Sequence, residues 1–563
     1  MSNFDESFDF VVVGSGGGSM CAALMMRKLG KTAVILEKSN LIGGTTARSG
    51  GVMWIPNNRF MKEAGIEDSY ENAAAYLDAT TGQDDLPGAT PERRATYLRE
   101  APKMIEFLAG QGIKLRRIPY YPDYHDHLPG GSAPGRTVVA ELFNLNELPP
   151  GWAARLRPSA IPFPARLEEL YWLPFLTRSA KGKVNLARIM LRGLAAKLTG
   201  KALAPGGRAL QGRMLQAALK ANADIRVSTG VASLIMEDGA VKGVVTQAGR
   251  RIGATLGVLI NAGGFAQNQE MRDKYQPGTS ARWTGTVAED TGEMIQEMMA
   301  KGAAVAQMDT AVGCQMALPP GRENQGDGVI FGTFGSQMDI TKPHSILVDQ
   351  TGVRYMSEGS SYTEFCATQR RRNSQVPAIP SLWIVDAQYM KTYMFLGTMP
   401  GKPKKQEWYD SGWLKKADTI EELATLCGIP PATLKATVDH FNADVRAGAD
   451  RQFHRGERAF DRWMGDAVAK TGNPTLGTIE QGPFYAAQVV PGDVSTAGGV
   501  VTDSNARVLR EDGTPIPGLY ATGTSSASVF GRFAVGAGSN IGPAFTWGYI
   551  AAKHAANAGN LAG

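Results

Sequence analysis

The stretch from Asp9 to Glu37 constrains the fold more than any other part of the chain. An apolar run, Phe10 to Val13, enters the turn Gly14-Ser15-Gly16-Gly17-Gly18-Ser19. An Ala/Leu/Met-rich run from Met20 to Leu29 leaves it, and a second apolar run, Ala33 to Leu36, ends on Glu37. Strand, tight turn, helix, strand and terminal acid in this order form the fingerprint of a dinucleotide-binding βαβ unit. Gly14 permits the turn, Gly16 lets the backbone approach a pyrophosphate, and small residues at 17–19 allow helix and strand to pack closely. The helix N-terminus offers N–H groups and a positive dipole end to the phosphates. Glu37 stands where a carboxylate accepts ribose hydroxyls, which favours an unphosphorylated ribose. The strict pattern has a third glycine where this chain has Ser19. Gly14, Ser15, Gly16, Gly17, Glu37 and Lys38 are the first candidate cofactor contacts.

Other glycine-rich junctions extend the pattern. The loop Gly43-Gly44-Thr45-Thr46-Ala47-Arg48-Ser49-Gly50-Gly51 follows the second strand closely enough to run along a cofactor. Strands are expected over Asp224–Ser228, Val231–Met236, Gly239–Val245 and Thr255–Ile260, the last running into Ala262-Gly263-Gly264. A further strand ends at Gly523, before Ser526 and Ala527, and a final apolar helix starts near 543, just past Gly538 and Ile541. Strand ends that meet glycine at 14, 263 and 523 imply one discontinuous cofactor domain, because ligands of open α/β sheets bind at the carboxyl ends of the strands. The expected architecture is α/β: a Rossmann-like domain over 1–287 and 481–563, with an α+β domain over 288–480 inserted into it.

Residues 151–208 differ in character. They hold eleven Lys/Arg against two acids, Glu168 and Glu169, together with Tyr171-Trp-Leu-Pro-Phe-Leu176. Basic charge beside aromatic and aliphatic residues is the composition of a membrane-surface contact. Elsewhere composition mainly excludes. The net charge of +6 is mild and basic clusters are not interleaved with aromatics, which excludes a nucleic-acid binder. Four scattered cysteines form no CxxC pair, so no disulfide framework or metal site is expected. The acidic start Met-Ser-Asn-Phe-Asp-Glu is unlike a signal peptide, and no run reaches the ~20 apolar residues of a membrane span. A cytoplasmic protein, touching the inner face of the membrane through 151–208, is the expectation.

Beyond the βαβ unit, the chain resembles the 3-ketosteroid dehydrogenases of the fumarate reductase/succinate dehydrogenase flavoprotein superfamily. The resemblance is carried by Gly14-Ser-Gly-Gly-Gly, Glu37-Lys, Gly43-Gly-Thr, Pro122-Asp-Tyr124, Arg354-Tyr-Met-Ser-Glu-Gly-Ser-Ser-Tyr362, Gly482-Pro-Phe-Tyr-Ala, Gly498-Gly, Gly523-Thr-Ser-Ser-Ala-Ser and Gly531-Arg-Phe with Gly536 and Gly538. It covers the chain nearly end to end and is thinnest over 145–205. It implies FAD, held without a covalent link because Thr45-Thr-Ala-Arg-Ser lacks the histidine of covalent relatives. It also implies desaturation of a 3-oxosteroid beside its carbonyl, at C1–C2. Tyr362 would take the α-proton, flavin N5 the β-hydride, and Tyr124 would hydrogen-bond to Tyr362. The family's carbonyl clamp pairs a tyrosine hydroxyl with a backbone N–H. The N–H would be that of Gly538, but Ala534 stands at the tyrosine's place, and Tyr121 and Tyr171 are the nearest substitutes. The alternatives are another ring position (Δ4), a smaller cyclic ketone, or alkene reduction as in fumarate reductases. With one dinucleotide motif, the electrons would leave to a quinone or another acceptor.

Overall fold

The computed structural model describes residues 3–561 except 325–335 and 471. Strand β1 (Glu6–Val13) pairs in parallel with β2 (Ala33–Leu36), and helix α1 (Gly17–Lys28) crosses between them. Alternate residues of β1 feed opposite cores, as the two-residue period of a strand requires. Phe10 and Val12 join one cluster with Ile35 and Leu259, whereas Val11 and Val13 join the other with Val34 and Leu36. Both faces of the sheet are thereby covered, which explains the unbroken apolar run.

On the far side of β1 lies Arg251–Ile260, and beyond it Pro515–Ala521, both parallel to it; Asp224–Arg226 lies beyond β2. The antiparallel strand Arg507–Leu509 and the hairpin Val231–Glu237/Ala240–Thr246 complete an eight-stranded sheet. Five parallel strands therefore end on one rim, at Gly14, Glu37, Val227, Asn261 and Thr522. Segments from the first half and from the C-terminal end of the chain build this rim together.

The C-terminal helix, Ile541–Leu561, packs along α1. Glycine makes that approach possible. A Cβ added at Gly18 would lie 2.3 Å from the carbonyl oxygen of Ala544, and one at Gly17 would lie 2.2 Å from the Phe545 ring. The small residues at 17 and 18 thus serve helix–helix as well as helix–strand packing.

A second, antiparallel sheet joins Ala311–Met316, Phe484–Thr496, Ser381–Val385 and Ser345–Val348, with Leu414–Ala417 also on the long strand. It takes in Phe484–Thr496, beyond the boundary expected at 480. The helix Tyr362–Asn373 lies on Ala311–Met316, where a Cβ at Gly313 would meet that of Cys366 at 2.4 Å. The turn before this helix is pinned by buried charge. Arg354 makes paired hydrogen bonds to Glu358 and Asp450, and Arg455 adds another to Glu358. Removing one member of such a network would strand a charge in the interior, which gives the Arg354–Tyr362 motif a structural reason.

Residues 151–208 form the short helices Trp152–Arg155 and Leu167–Leu170 and the long helix Ala180–Leu198. Part of their basic charge is spent internally. Arg157 pairs with Glu289, Arg166 with Glu141, Arg178 with Asp466 and Arg192 with Glu169.

Candidate active site

A cavity of about 530 Å³ runs from the strand rim of the first sheet to the second sheet. Its walls include Gly14, Ser15, Gly16, Gly17, Glu37, Lys38, Gly44, Thr45, Thr46, Ser49, Gly50, Val231, Ala262, Gly263, Gly523, Gly538, Ile541 and Tyr362. Five other expected contacts stand behind the wall, and their polar groups or surfaces are committed elsewhere. The Gly43 N–H donates to Ser15 Oγ (2.9 Å), and that of Gly264 donates to Asp290. Gly51 lies against the Gly206–Gly207 backbone, where a Cβ would be 2.5 Å from Gly207 N. Ser526 Oγ donates to the Gly523 carbonyl, and buried Ala527 gives its carbonyl to Arg93.

At the dinucleotide end, Glu37 is buried and caps the turn. Its Oε2 accepts from Ser15 N (3.0 Å) and Ser15 Oγ (2.5 Å), and Oε1 accepts from Ser39 N (2.8 Å). Burial raises its pKa while these donors oppose the rise. Lys38 is neutralised by Glu293, and the Arg157–Glu289 pair closes the same end.

At the other end, Tyr362 faces the cavity from the first turn of its helix, among Val312, Cys314, Ser495 and Asn540. The Asn540 amide donates to Ser495 Oγ at 2.5 Å. Tyr124 stands behind Tyr362, its ring edge-on at a centroid distance of 5.3 Å. It is held by its backbone, which donates to the Val535 carbonyl (3.2 Å), and by its neighbour Asp123, which accepts from Trp54 Nε1 (2.8 Å) and Arg136 (2.6 Å). Burial pushes the Tyr362 hydroxyl up to about 12, and its hydrogen bond with Tyr124 works against that rise. Tyr124 is pushed further up, by burial and then by the charges its two tyrosine neighbours would carry, so of this pair Tyr362 ionises first.

Gly538 adopts φ +103°, and a Cβ there would sit 2.4 Å from Trp54 N. Its carbonyl accepts from Gly542 N and Trp54 N, whereas its N–H donates to no protein group among the described residues. Ala534 is buried against Tyr124, Phe460 and Met464. Neither substitute tyrosine lines the cavity. The Tyr171 hydroxyl donates to the Trp463 carbonyl (2.7 Å), and Tyr121 packs on Trp463 with its hydroxyl near that of Tyr124.

The sequence reading missed Leu167, Leu170 and Ile161, which give the cavity an apolar wall from the 151–208 stretch, and Cys314, Ser495, Asn540 and Glu289. None belongs to a motif; only the folded chain brings them here.

The residues present fit an FAD. The N-terminus of α1 carries no side-chain cap and no acid in its first turn, leaving its N–H groups for a pyrophosphate. A Cβ at Gly14 would lie 2.3 Å from Asn261 O, so the backbone there has no room to withdraw, and at Gly44, on the wall, a Cβ would meet no protein atom within 4 Å. Glu37 retains acceptor capacity for ribose hydroxyls, because a carboxylate has about four lone-pair sites.

Strand rim, free helix N-terminus and long cavity define a flavoprotein oxidoreductase of the FAD-binding class. The FAD binding domain family matches residues 9–541. The chain is 37% identical to the 3-oxosteroid 1-dehydrogenase of Mycobacterium tuberculosis, over 98% of this chain and 99% of that one. It is 34% identical to the 4-oxocyclohexanecarboxylate 2-dehydrogenase of Sinomonas cyclohexanicum, over 97% and 92%. The crystal structure of 3-ketosteroid Δ1-dehydrogenase from Sterolibacterium denitrificans, in complex with 1,4-androstadiene-3,17-dione, superposes with a TM-score of 0.89 at 34% identity, covering 98% of this chain and 100% of that one. The chain belongs to the 3-oxosteroid dehydrogenase family of FAD-dependent oxidoreductases.

Proposed function

We propose that the protein desaturates the C1–C2 bond of a 3-oxosteroid, converting a 4-en-3-one to a 1,4-dien-3-one. The carrying observation is that Tyr362 and the Gly538 N–H, remote in sequence, line one end of a cavity whose other end has the groups of a dinucleotide site. The C2 proton goes to the Tyr362 oxygen, which Tyr124 supports from behind. The electron pair of the broken C–H bond moves toward the carbonyl, whose oxygen is held by the Gly538 N–H. FAD, when bound, supplies the acceptor for the C1 hydride. Leu167, Leu170 and Ile161 supply an apolar wall suited to a steroid and exclude water from the reacting end. Electrons then pass to a quinone or another acceptor.

Ala534 favours a second reading, desaturation at another ring position or of a smaller cyclic ketone. A lost oxyanion donor typically costs about 2.7–4 kcal/mol, and the Sinomonas relative is named for a cyclohexanone acid. Anaerobic bleaching of the bound flavin separates the two readings. Bleaching by 4-androstene-3,17-dione or cholest-4-en-3-one, with a 1,4-diene product, supports the first. Bleaching only by a 5α-saturated 3-ketosteroid or by cyclohexanone refutes it and supports the second.

A further inference from the structure

The first part of the 151–208 stretch lies along the glycine-rich loop at 43–51. Leu156 bridges Ile42 in parallel, with the Ile42 N–H donating to the Arg155 carbonyl (2.7 Å) and the Arg157 N–H donating to the Ile42 carbonyl (3.0 Å). Three residues on, the Ala160 N–H donates to the carbonyl of Arg48, the last residue of the short helix Gly44–Arg48. Residues 155–161 are thus strapped by backbone hydrogen bonds to a loop that walls the cavity. Arg157, Ala160 and Ile161 line the cavity themselves.

Arg157 is the buried cation of this strap, only 9% exposed. Its Nη2 lies 2.8 Å from Glu289 Oε2 and 3.3 Å from Ser39 Oγ. Its Nε–H, also buried, meets no protein acceptor among the described residues. Buried polar groups are almost always hydrogen-bonded, so such a donor on a cavity wall calls for a partner from outside the chain. The neighbours indicate which part of a dinucleotide that partner is. The Ser39 N–H donates to Glu37 Oε1, which places Arg157 beside the carboxylate assigned to the ribose. The other charges here cancel in pairs, Lys38 with Glu293 and Arg157 with Glu289. A phosphate would find no net positive charge at this end, and the uncapped N-terminus of α1 serves it instead. An uncharged nucleoside suits the site, and a planar, weakly hydrated guanidinium can both donate to a purine and lie against its face.

We infer that Arg157 binds the adenosine half of FAD, carried to it by the strap 155–161. With Nη2 committed to Glu289 and Ser39, Nε is a donor left for the ligand, and those two residues position it. The stretch that composition marks as basic surface is therefore, at its start, part of the cofactor site. This rests on FAD as the cofactor and not on the steroid proposed above.

The test compares the native holoenzyme with R157K, which keeps a charge for Glu289 but has no guanidinium. On dilution, FAD should leave R157K at least about tenfold faster, as loss of a hydrogen bond from a charged group allows; the rise in flavin fluorescence reads the rate. Displacement separates a contact from a packing effect. FMN lacks the adenosine half and should displace FAD from R157K at a concentration about tenfold lower than from the native protein. ADP carries that half, loses the same contact and should displace FAD at an unchanged concentration. R157Q, which also loses the Glu289 pair, should release FAD at least as fast and serves if R157K does not fold. Native release rates in both variants overturn the inference. FMN that displaces FAD no more easily from the variants than from the native protein also overturns it and assigns Arg157 to the packing of the strap alone. No readout uses steroid turnover, so these outcomes are distinct from failure of the substrate proposal.

Discussion

Tyr124→Phe isolates the contribution of one hydroxyl to the acidity of another. The Tyr124 hydroxyl stabilises the Tyr362 phenolate, so its removal must raise the Tyr362 pKa above its position near 12. A hydrogen bond to a charged group is worth about 1.5–3 kcal/mol, which at 1.36 kcal/mol per unit corresponds to about 1–2 pKa units. Phenylalanine fills the same space against Phe460 and Ala534, so packing is retained. In initial-rate assays on a 4-en-3-one with an artificial electron acceptor, the native log kcat/KM should climb with pH at a slope near one wherever pH lies below the Tyr362 pKa. The Tyr124→Phe profile should be displaced to alkaline pH by about 1–2 units, a loss of about 10–100-fold at fixed pH on that limb. Tyr362→Phe should lose the limb altogether. Flavin absorbance and melting temperature report whether each variant is intact. A flat native profile, or a Tyr124→Phe profile displaced by less than about 0.3 unit, would refute the reasoning.

The remaining predictions concern the cofactor end, the clamp and acid stability. Gly14→Val places a β-branched side chain at φ +92° with Cβ 2.3 Å from Asn261 O; the purified protein should be nearly colourless and should not take up added FAD, and normal flavin content would contradict the cradle. Glu37→Gln weakens the ribose acceptor and the Ser15 cap, raising the FAD Kd by about 10–100-fold, since hydrogen bonds to charged groups carry about 1.5–3 kcal/mol; flavin-fluorescence titration measures it. Ala534→Tyr forces a ring into a buried site lined by Tyr124, Phe460 and Met464 and should cost about 1–3 kcal/mol; a higher kcat at an unchanged melting temperature would instead mean that the site has room for a tyrosine donor. Burial lowers His125 to about 4, against about 6.5 in an unfolded chain. Its stabilising contribution is therefore complete above about pH 6.5 and is lost as pH falls toward 4. The melting temperature of His125→Gln should decline less steeply over that window, and parallel curves would dismiss His125 as an acid-sensitive site.

The βαβ unit was legible because its determinants are contiguous. Strand, turn and helix from Phe10 to Glu37 follow from local apolar pattern and backbone sterics, and a pyrophosphate imposes the same demands on any chain that binds it. The pairing of Tyr124 with Tyr362 was legible only through resemblance, since nothing local links a Pro-Asp-Tyr loop to the start of a distant helix. Tertiary structure decided which glycines face the cavity. Gly44 opens onto it, whereas Gly43, Gly51 and Gly264 are committed to neighbouring backbone or side chains, a distinction that depends on φ and on partners far along the chain. It also decided that Leu167 and Leu170, within a stretch conspicuous for charge, wall the cavity. The same stretch shows the limit of pattern reading on a surface. Composition marked it as basic and apolar, but composition does not say which side of a helix faces solvent. Pairing Arg192 with Glu169 turns that arginine inward and leaves Leu191 and Leu194 exposed, because which side of a helix meets solvent is settled by what packs against the other.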